Sequence, residues 1–434
     1  MKTKSFISAI ATTLALAFSN TGIAQTLPVP DNCRIVNGIC YKFDNEAKTA
    51  LVSTYKTREA ERGRPWEEYY DYNGHNMIIP STVTIYGEEY TVTGFDNPIR
   101  NFMWTAVIDT IDVPSTIAEI CPNLCNYADV KTVILHEGLK TIGDNAFPRQ
   151  ARLSEIVLPE SLDSIGNEAF IACHLKTIII PSNTKKLGFG IFKGCSALEE
   201  ATLPDGIREI PLDMFARTAI TSIALPSTVE AIGPSAFSET KLQSIEMPTS
   251  LREIGEYAFS GCPLSSIKFN DGLEIIAPSA FLRIQGEPMN LILPYELKEI
   301  GDMAFLYSSI KEVTIQKNVN KIGEDAFKGC PLEKVVSLIE QPRYTPLPFQ
   351  AFDDNIFLYQ PLYVPTGLVD EYRRVIYWNK FYDIFEMDMS PLDRVETDAK
   401  SRHTYTIDGR TTNAIEQGIN VIEENGMSRI ILKK

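Results

Sequence analysis

A phenylalanine recurs down the middle of this chain at intervals of 22 to 24 residues. Each one lies near the end of a unit with the consensus L-x-x-I-x-L-P-x-x-L-x-x-I-G-x-x-A-F-x-x-C. These anchor phenylalanines are Phe147, Phe170, Phe192, Phe215, Phe237, Phe259, Phe281, Phe305 and Phe327. Such a repeat predicts a solenoid, because one unit cannot bury its apolar side alone and must stack on its neighbours.

Within each unit, the residue pattern indicates a strand followed by a tight turn. Apolar residues alternate with variable ones over the first half, which is the period of a strand with one buried face. Proline then ends the strand because it cannot donate a hydrogen bond to a neighbour. We expect the consensus glycine to adopt a positive φ in the turn. The phenylalanine should fill the space between stacked units, here called rungs.

The predicted solenoid needs a cover at each end, because an open end would expose the apolar core. Residues 94–350 hold the repeats, and we expect about ten or eleven rungs. Residues 25–93 are predicted to form an N-terminal β cap, and residues 351–388 an aromatic-rich C-terminal cap. Residues 389–434 are predicted to be a linker and a small β-module, whose strands are separated by Asp-Gly and Asn-Gly turns.

Three local features refine the predicted caps. Residues 36–43 predict one short strand, with residues 49–55 as its partner. Residues 86–89 predict a hairpin turn. Ala351-Phe352 follows the last anchor phenylalanine by 25 residues and predicts a stretched final turn.

The N-terminus has the features of a secretory signal peptide over residues 1–24. Lys2 and Lys4 make its start positive, and residues 6–18 form a mostly apolar run too short to cross a bilayer. Small residues precede a cleavage site before Gln25, which is not the cysteine that a lipoprotein anchor needs. No later stretch is long and apolar enough to span a membrane. We therefore expect an exported protein, either secreted or held at the outer cell surface.

Charge and motif content argue against several functional classes. The net charge of −15 disfavours a nucleic-acid partner, because phosphate binding needs a basic surface. The four histidines are far apart, and His136-Glu137 has Lys140 where a zinc-binding helix needs its second histidine. No serine lies in a Gly-x-Ser-x-Gly turn. We predict no catalytic residues, no metal site and no cofactor, so the protein is not expected to be an enzyme.

The eight cysteines fall into three groups. Cys33 and Cys40 flank a turn, and in an exported chain they either form a disulfide or stay free. Cys121 and Cys125 either pair or pack, and the sequence does not decide. The remaining four share one repeat position and are predicted to be free thiols packed between rungs: Cys173, Cys195, Cys262 and Cys330. A metal site would need further ligands that are absent.

Two columns of side chains should point outward from the predicted sheet, on either side of the first inward aliphatic residue. Ile134, Val157 and Ile179 would then form an exposed apolar strip on consecutive rungs. This strip is either a consequence of β-propensity or a contact surface for a protein partner. The candidate partner-contact residues are Thr132, Ile134, Glu155, Val157, Thr177, Ile179, Glu200 and Thr202. The columns continue to Glu312 and Thr314 without an aromatic side chain, which counts against a carbohydrate-stacking face.

The repeat resembles the BspA-type leucine-rich repeat of Bacteroidetes cell-surface proteins. The resemblance is carried by copies of Ile-Gly-x-x-Ala-Phe, beginning at Ile142, Ile165, Ile232, Ile254, Ile300 and Ile322, and by the Gly-Cys pairs that follow some of them. It extends over residues 34–388 and implies a leucine-rich-repeat solenoid, α/β or mainly β, with one short parallel strand and turns or short helices per rung. Departures are Cys125 in place of phenylalanine, and Pro211 and Ala277 in place of the glycine.

The resemblance also implies a class of function. Members of this group are associated with adhesion to host proteins or to other bacteria, although they share no binding residues that can be carried over. The last strands resemble C-terminal modules of exported Bacteroidetes proteins, and this resemblance implies a role in sorting or surface attachment that is related to type IX secretion.

Three functional hypotheses follow. The first is a binding or adhesion protein that recognises a host matrix protein or another bacterial surface protein. The second is a secreted carbohydrate-binding accessory protein that uses Trp66, Tyr69 and Tyr70, so a glycan partner stays open. The third is a structural component of a surface layer.

Overall fold

The structure is a computed structural model that describes residues 32–53, 76–96, 107–126, 128–348 and 350–387, and four strands between residues 403 and 433. The predicted signal peptide, the linker over residues 389–402, and Trp66, Tyr69 and Tyr70 lie outside the described residues. The chain divides into two compact units, Met1–Lys268 and Phe269–Lys434. Among the helices of the described residues, none has the length and apolar character that crossing a membrane requires.

The described part of the first unit consists of short strands joined by turns. Its strands are β1 (Cys33–Val36), β2 (Ile39–Asp44), β3 (Thr49–Val52), β4 (Met77–Ile78), β5 (Thr82–Ile85), β6 (Glu88–Phe95), β7 (Val107–Val113), β8 (Glu119–Ile120), β9 (Asp129–Leu135), β10 (Thr141–Ile142), β11 (Ser164–Ile165), β12 (Thr177–Ile179), β13 (Lys186–Leu187), β14 (Glu200–Thr202), β15 (Glu209–Ile210), β16 (Ala231–Ile232), β17 (Ser244–Glu246), β18 (Glu253–Ile254) and β19 (Ser266–Lys268).

Five strands near the N-terminus form one sheet in the order β1-β2-β3-β6-β5. The strand predicted over residues 36–43 is found as β2, and its predicted partner is confirmed, since β2 pairs antiparallel with β3. It begins at Ile39 and not at Val36, because Asn37 and Gly38 both take a positive φ and turn the chain between β1 and β2. The predicted hairpin at residues 86–89 is confirmed: Tyr86 and Gly87 have φ of 53° and 85°, and β5 pairs antiparallel with β6. Positive φ at both central residues is the geometry that joins two antiparallel strands tightly.

The repeats form two parallel ladders in the first unit. The first ladder carries the alternating half of the consensus and contains β4-β7-β9, β12-β14 and β17-β19. The second carries the Ile of Ile-Gly and contains β8-β10-β11-β13 and, separately, β15-β16-β18. Ile178 is buried between the exposed Thr177 and Ile179, as the period of a half-buried strand requires. This arrangement confirms the predicted parallel solenoid.

The anchor phenylalanines stack on each other along the core of the first unit. From Phe147 to Phe259 the ring centroids of successive phenylalanines are 5.4 to 5.8 Å apart, and the rings are tilted by 7° to 13°. All of these side chains are fully buried. Backbone bonds hold the turns together, since the amide of Phe147 donates to the carbonyl of Ala169 on the next rung at 2.9 Å. The predicted role of the phenylalanines as core residues is confirmed.

The expected reason for the consensus glycine is wrong. None of Gly143, Gly166, Gly188, Gly233 and Gly255 has a positive φ. A Cβ atom at each of them would instead lie within 2.5 to 2.8 Å of the backbone of the preceding rung. Glycine is therefore needed because two rungs approach closely there, and the turns take their positive φ elsewhere.

The left-handed positions of the turn lie two residues before and two residues after each phenylalanine. Around Phe237, for example, Ser235 and Glu239 have φ of 54° and 56°. Few of these residues are glycine, so the consensus does not reveal them. Asn and Gly favour this conformation, while other residues accept it at a cost in energy.

Pro211, which stands in place of the consensus glycine, marks a break in the second ladder. The strand before it, β15, pairs with β16 but has no pairing with β13 among the described strands. Pro211 has no amide hydrogen, so it cannot make the bond that the amides of Gly143, Gly166 and Gly188 donate to the preceding rung. Cys121 similarly follows β8, the first strand of its ladder. These two departures from the consensus thus occur where a ladder begins.

The shared cysteine position supplies a hydrogen-bond donor directed at the preceding rung. The thiol of Cys173 donates to the carbonyl of Phe147 at 2.8 Å, and Cys195 and Cys262 make the equivalent bonds to Phe170 and Phe237. These thiols are buried and free, and burial raises the pKa of Cys173 to about 12.

The second unit continues the same architecture. Its strands are β20 (Ile275–Ile276), β21 (Met289–Ile292), β22 (Glu299–Ile300), β23 (Ile310–Ile315), β24 (Lys321–Ile322), β25 (Lys334–Ser337), β26 (Leu362–Pro365), β27 (Ile384–Met387), β28 (His403–Thr406), β29 (Thr411–Thr412), β30 (Gly418–Glu424) and β31 (Met427–Lys433). Its helices are α1 (Asp354–Tyr359) and α2 (Val369–Arg374), with 3-10 turns at Pro342–Tyr344 and Trp378–Lys380.

The number of rungs exceeds the expected ten or eleven, since the solenoid has about 13 turns. Two segments that the sequence assigned to the caps account for the difference. Strand β4 pairs in parallel with β7, and β26 and β27 extend the ladder β21-β23-β25-β26-β27 in parallel register. Both ends of the repeat region therefore reach further than the anchor phenylalanines indicate.

Buried aromatic side chains close the core of the second unit. Phe352 stacks on Phe327 with centroids 5.4 Å apart, which confirms the predicted stretched turn. Phe357 and Phe381 then meet the ring of Phe352 edge-on, at 5.9 and 5.8 Å. The indole of Trp378 donates to the carbonyl of Thr345 at 2.9 Å, so a buried polar group is satisfied.

The last four strands form an antiparallel sheet in the order β29-β28-β30-β31. Its strands fall where the sequence predicts a small β-module, and β30 pairs with β31 from Gly418↔Lys433 to Glu424↔Met427. The role of this module in sorting or attachment stays a prediction.

Candidate binding face

The candidate partner-contact residues lie on the outer side of the first ladder. All eight side chains from Thr132 to Thr202 are exposed, while Val133, Ile156 and Ile178 between them are buried. Parallel pairing sets Thr177 beside Glu200 and Ile179 beside Thr202. The structure thus brings these residues together on one surface, and their role in binding stays a prediction.

The apolar strip, defined as Ile134, Val157 and Ile179, is the most exposed apolar part of this face. The exposed fractions of these side chains are 38%, 81% and 67%. Strands of one sheet lie about 4.8 Å apart, so side chains on successive rungs can touch the same partner. The residues around Val157 do not form a strand of the first ladder. A backbone hydrogen bond still joins this rung to the next one, because the amide of Lys176 donates to the carbonyl of Ser154 at 3.1 Å.

The column that holds the apolar strip begins earlier than the sequence predicted. Ile78 pairs with Asp112, which pairs with Ile134, so Ile78 belongs to the same column and is 51% exposed. Asp112 accepts a hydrogen bond from His136 at 2.8 Å. The signal was present, because Met77-Ile-Ile-Pro80 has the same inward, outward, inward, proline order as the rung at residues 178–181.

After Ile179 the column becomes polar or small. Thr202, Ala224, Glu246 and Lys268 follow on the next rungs, and all four are exposed. Glu246 and Lys268 form an ion pair across paired strands. The apolar strip is therefore confined to one end of the first unit, which is what a local contact surface requires.

In the second unit the column ends in aromatic side chains. Its register runs through Ile292, Thr314, Val336, Tyr363 and Phe385. The rings of Tyr363 and Phe385 are 5.7 Å apart, and the Lys334 ammonium lies 5.0 Å from the centre of the Tyr363 ring. The prediction that the columns lack aromatic residues was incomplete, because Leu362-Tyr-Val-Pro365 repeats the rung pattern and was assigned to the cap.

Cys33 and Cys40, whose pairing the sequence leaves open, are free and buried thiols in the structure. In the register of β1 and β2, Cys33 faces Lys42 and Cys40 faces Ile35, so the two are not direct cross-strand partners. The pairing stays a prediction. Among the described residues, no group of three or more His, Cys, Asp or Glu side chains could hold a metal ion.

A family model described as the BspA type leucine-rich repeat region matches the chain over residues 118–241 and 230–355. Together the two matches extend over more than half of the sequence. No protein with curated annotation matches the chain.

Several solved structures resemble the chain. A leucine-rich repeat protein from Bacteroides ovatus is 21% identical, covers 82% of this chain and 100% of its own, and has a TM-score of 0.40. The pneumococcal vaccine antigen PcpA is 19% identical, with coverages of 82% and 98% and a TM-score of 0.46. A leucine-rich cell surface protein from Faecalibacterium prausnitzii is 19% identical, with coverages of 87% and 100% and a TM-score of 0.44.

Proposed function

This chain belongs to the BspA-type leucine-rich repeat family, and from that premise we propose that it is an exported binding protein without catalytic activity. Its partner is a protein of the host matrix or of another bacterial surface. Leucine-rich repeat proteins generally bind proteins, and the solenoid presents a long row of side chains suited to distributed contacts. Binding then depends on shape and apolar burial.

The observation that carries this proposal is the apolar strip. Scattered apolar residues are normal on a protein surface, but three on successive rungs give a continuous apolar area. The strip is flanked by the exposed Glu155 and Glu200, so apolar contacts have a polar rim. A buried apolar centre with a polar rim is the usual arrangement of a protein interface.

The test is binding of the purified mature chain to immobilised fibronectin, fibrinogen, laminin and collagen. We expect a complex with at least one of them, weakened about tenfold or more by Val157→Lys, because a charge would then be buried in the interface. Ala224→Lys is the matched control, since it adds the same charge to an exposed position of the same column that lies outside the candidate contact residues. If Val157→Lys and the unaltered chain bind equally well, the apolar strip is not the contact surface.

The same preparation separates the alternatives. Ordered assembly of the mature chain with no added partner would favour the structural surface-layer hypothesis. Binding to glycans that is lost on Trp66→Ala would favour the carbohydrate-binding accessory protein.

Export forms part of the proposal and has its own test. The signal peptide predicted over residues 1–24 supports it, together with membership of a family that has cell-surface relatives. Expression with the native N-terminus in a bacterial host that secretes proteins should give a product that starts at Gln25. A product that keeps residues 1–24 and remains inside the cell would contradict export.

A further inference from the structure

A polar groove of about 340 Å³ crosses three rungs on the turn side of the first unit. Its floor is formed by the residue that follows each anchor phenylalanine. On these rungs that residue is small, namely Ala216, Ser238 and Ser260, whereas the two preceding rungs have Ile171 and Lys193. The groove therefore follows three successive rungs with a small side chain at this position, and Lys193 lines one end of it.

The two walls of the groove are formed by the left-handed residues of each turn. Ser235 and Tyr257 lie on the wall that precedes the phenylalanines, and Arg217 and Glu239 lie on the wall that follows them. The guanidinium of Arg217 makes two contacts with the carboxylate of Glu239, Nε to Oε2 at 3.3 Å and Nη2 to Oε1 at 3.4 Å. Both side chains stay more than half exposed, so their remaining donors and acceptors face solvent.

Tyr257 gives the groove an aromatic surface. Its side chain is 41% exposed, and its backbone holds a φ of 55°. An exposed tyrosine offers an apolar ring face and a hydroxyl at its edge. A ligand with one apolar face and many hydroxyl groups would use both.

We propose that this groove binds a neutral oligosaccharide, with one pyranose ring against the face of Tyr257. The C–H groups on one side of a pyranose pack on an aromatic ring by dispersion. Its hydroxyl groups can donate to the carboxylate of Glu239 and accept from the guanidinium of Arg217, and such charge-assisted bonds are strong. The groove volume is at the lower limit for ligand sites, which suits about one or two sugar rings.

The charges of the groove select against other ligands. Lys193 lies 2.7 Å from Asp213, and Arg217 is paired with Glu239, so both cations are already neutralised. An anionic ligand would gain little from them and would be repelled by a chain of net charge −15. Tyr257 is the one large apolar surface of the lining, which disfavours a purely apolar ligand.

This inference is independent of the proposed protein partner. The groove lies on the turn side of the rungs, whereas the apolar strip lies on the first ladder. Val157→Lys should therefore leave sugar binding unchanged, and Tyr257→Ala should leave protein binding unchanged. Failure of one proposal does not imply failure of the other.

The test is an array of neutral and acidic oligosaccharides probed with the full mature chain, followed by calorimetric titration of cellobiose, mannobiose, lactose and chitobiose. We expect binding of at least one neutral sugar, weakened about tenfold by Tyr257→Ala, because loss of the ring removes the packing surface. Tyr257→Trp should keep the affinity within about threefold, and Glu239→Gln should weaken it through loss of a charged acceptor.

Tyr307→Ala is the matched control, because Tyr307 is also an exposed tyrosine at a left-handed position of a turn. It should leave sugar binding unchanged. Melting curves of all the variants will identify any loss of folding. The proposal is overturned if no neutral sugar binds, if Tyr257→Ala binds as tightly as the unaltered chain, or if Tyr307→Ala weakens binding equally.

Discussion

The inward column of phenylalanines and the outward column on the first ladder come from the same rungs but differ in what they tolerate. Phe147 to Phe259 are identical in residue type, fully buried and evenly stacked. The outward column changes from Ile179 to Thr202 to Lys268 within the same unit. Each inward side chain packs between the side chains of two neighbouring rungs, so its size and shape are fixed. An outward side chain faces solvent, so many residue types are accepted at its position.

The two columns show that the consensus positions and the variable positions of a repeat protein have different roles. The consensus positions describe how rungs stack, and substitutions there should change stability. The variable positions describe which molecules the surface contacts, and substitutions there should change binding with little effect on stability. The following variants test this separation, beginning with the largest expected loss of stability.

Phe192→Ala should have the largest effect. Phe192 lies between Phe170 and Phe215, with ring centroids at 5.8 and 5.7 Å. Removal of the ring leaves a cavity and should lower the free energy of unfolding by about 3–5 kcal/mol. Chemical denaturation followed by circular dichroism measures this change. A shift of the midpoint too small to detect would mean that the stack is not a continuous core.

Gly166→Ala should have the next largest effect. The added Cβ would lie 2.5 Å from the amide nitrogen of Asp144 and must push two rungs apart. We expect a loss of about 1–3 kcal/mol, the usual cost of overpacking. Gly94→Ala is the matched control, because its Cβ would meet only the side chain of Leu51, at 3.5 Å. An equal loss for both variants would argue against close approach as the reason for the consensus glycine.

Cys173→Val should have a smaller effect. It keeps an apolar side chain of similar size but removes the thiol that donates to the Phe147 carbonyl at 2.8 Å. A buried carbonyl then loses a partner, which should cost about 1 kcal/mol. Cys173→Ser keeps a donor, as Ser308 does toward Phe281 at the equivalent position of the second unit, and should cost less than Cys173→Val. The reverse order would contradict a hydrogen-bonding role.

The sequence predicted the stacking well because each rule is repeated. Alternation, proline and phenylalanine recur on every rung, so the strands, the core and the parallel pairing follow from the pattern. The reason for the glycine could not be predicted, because distances between the backbones of two rungs are not written in the sequence of one rung. The left-handed positions, such as Ser235 and Tyr257, were missed because several residue types occupy them.

The predicted face was found only in part. The eight candidate residues are exposed as predicted, but Ile78, Tyr363 and Phe385 were left out of the column. They lie on rungs where the anchor phenylalanine is missing or distant. The spacing of 22 to 24 residues is defined by that phenylalanine, so it does not identify these rungs. The aliphatic-x-aliphatic-proline pattern identifies Ile78 and Tyr363 without it. The groove around Tyr257 depends on small residues at a variable position, which a consensus omits.

Val157→Lys should have the smallest effect on stability. Its side chain is 81% exposed, so a lysine there stays in water and should change the free energy of unfolding by no more than about 0.5 kcal/mol. The same variant is expected to weaken partner binding about tenfold or more, so it separates the two columns more sharply than any core variant. Thermal melting beside the binding assay measures both quantities on one preparation. A loss of stability approaching that of Phe192→Ala would mean that the strand register is wrong and that Val157 belongs to the core.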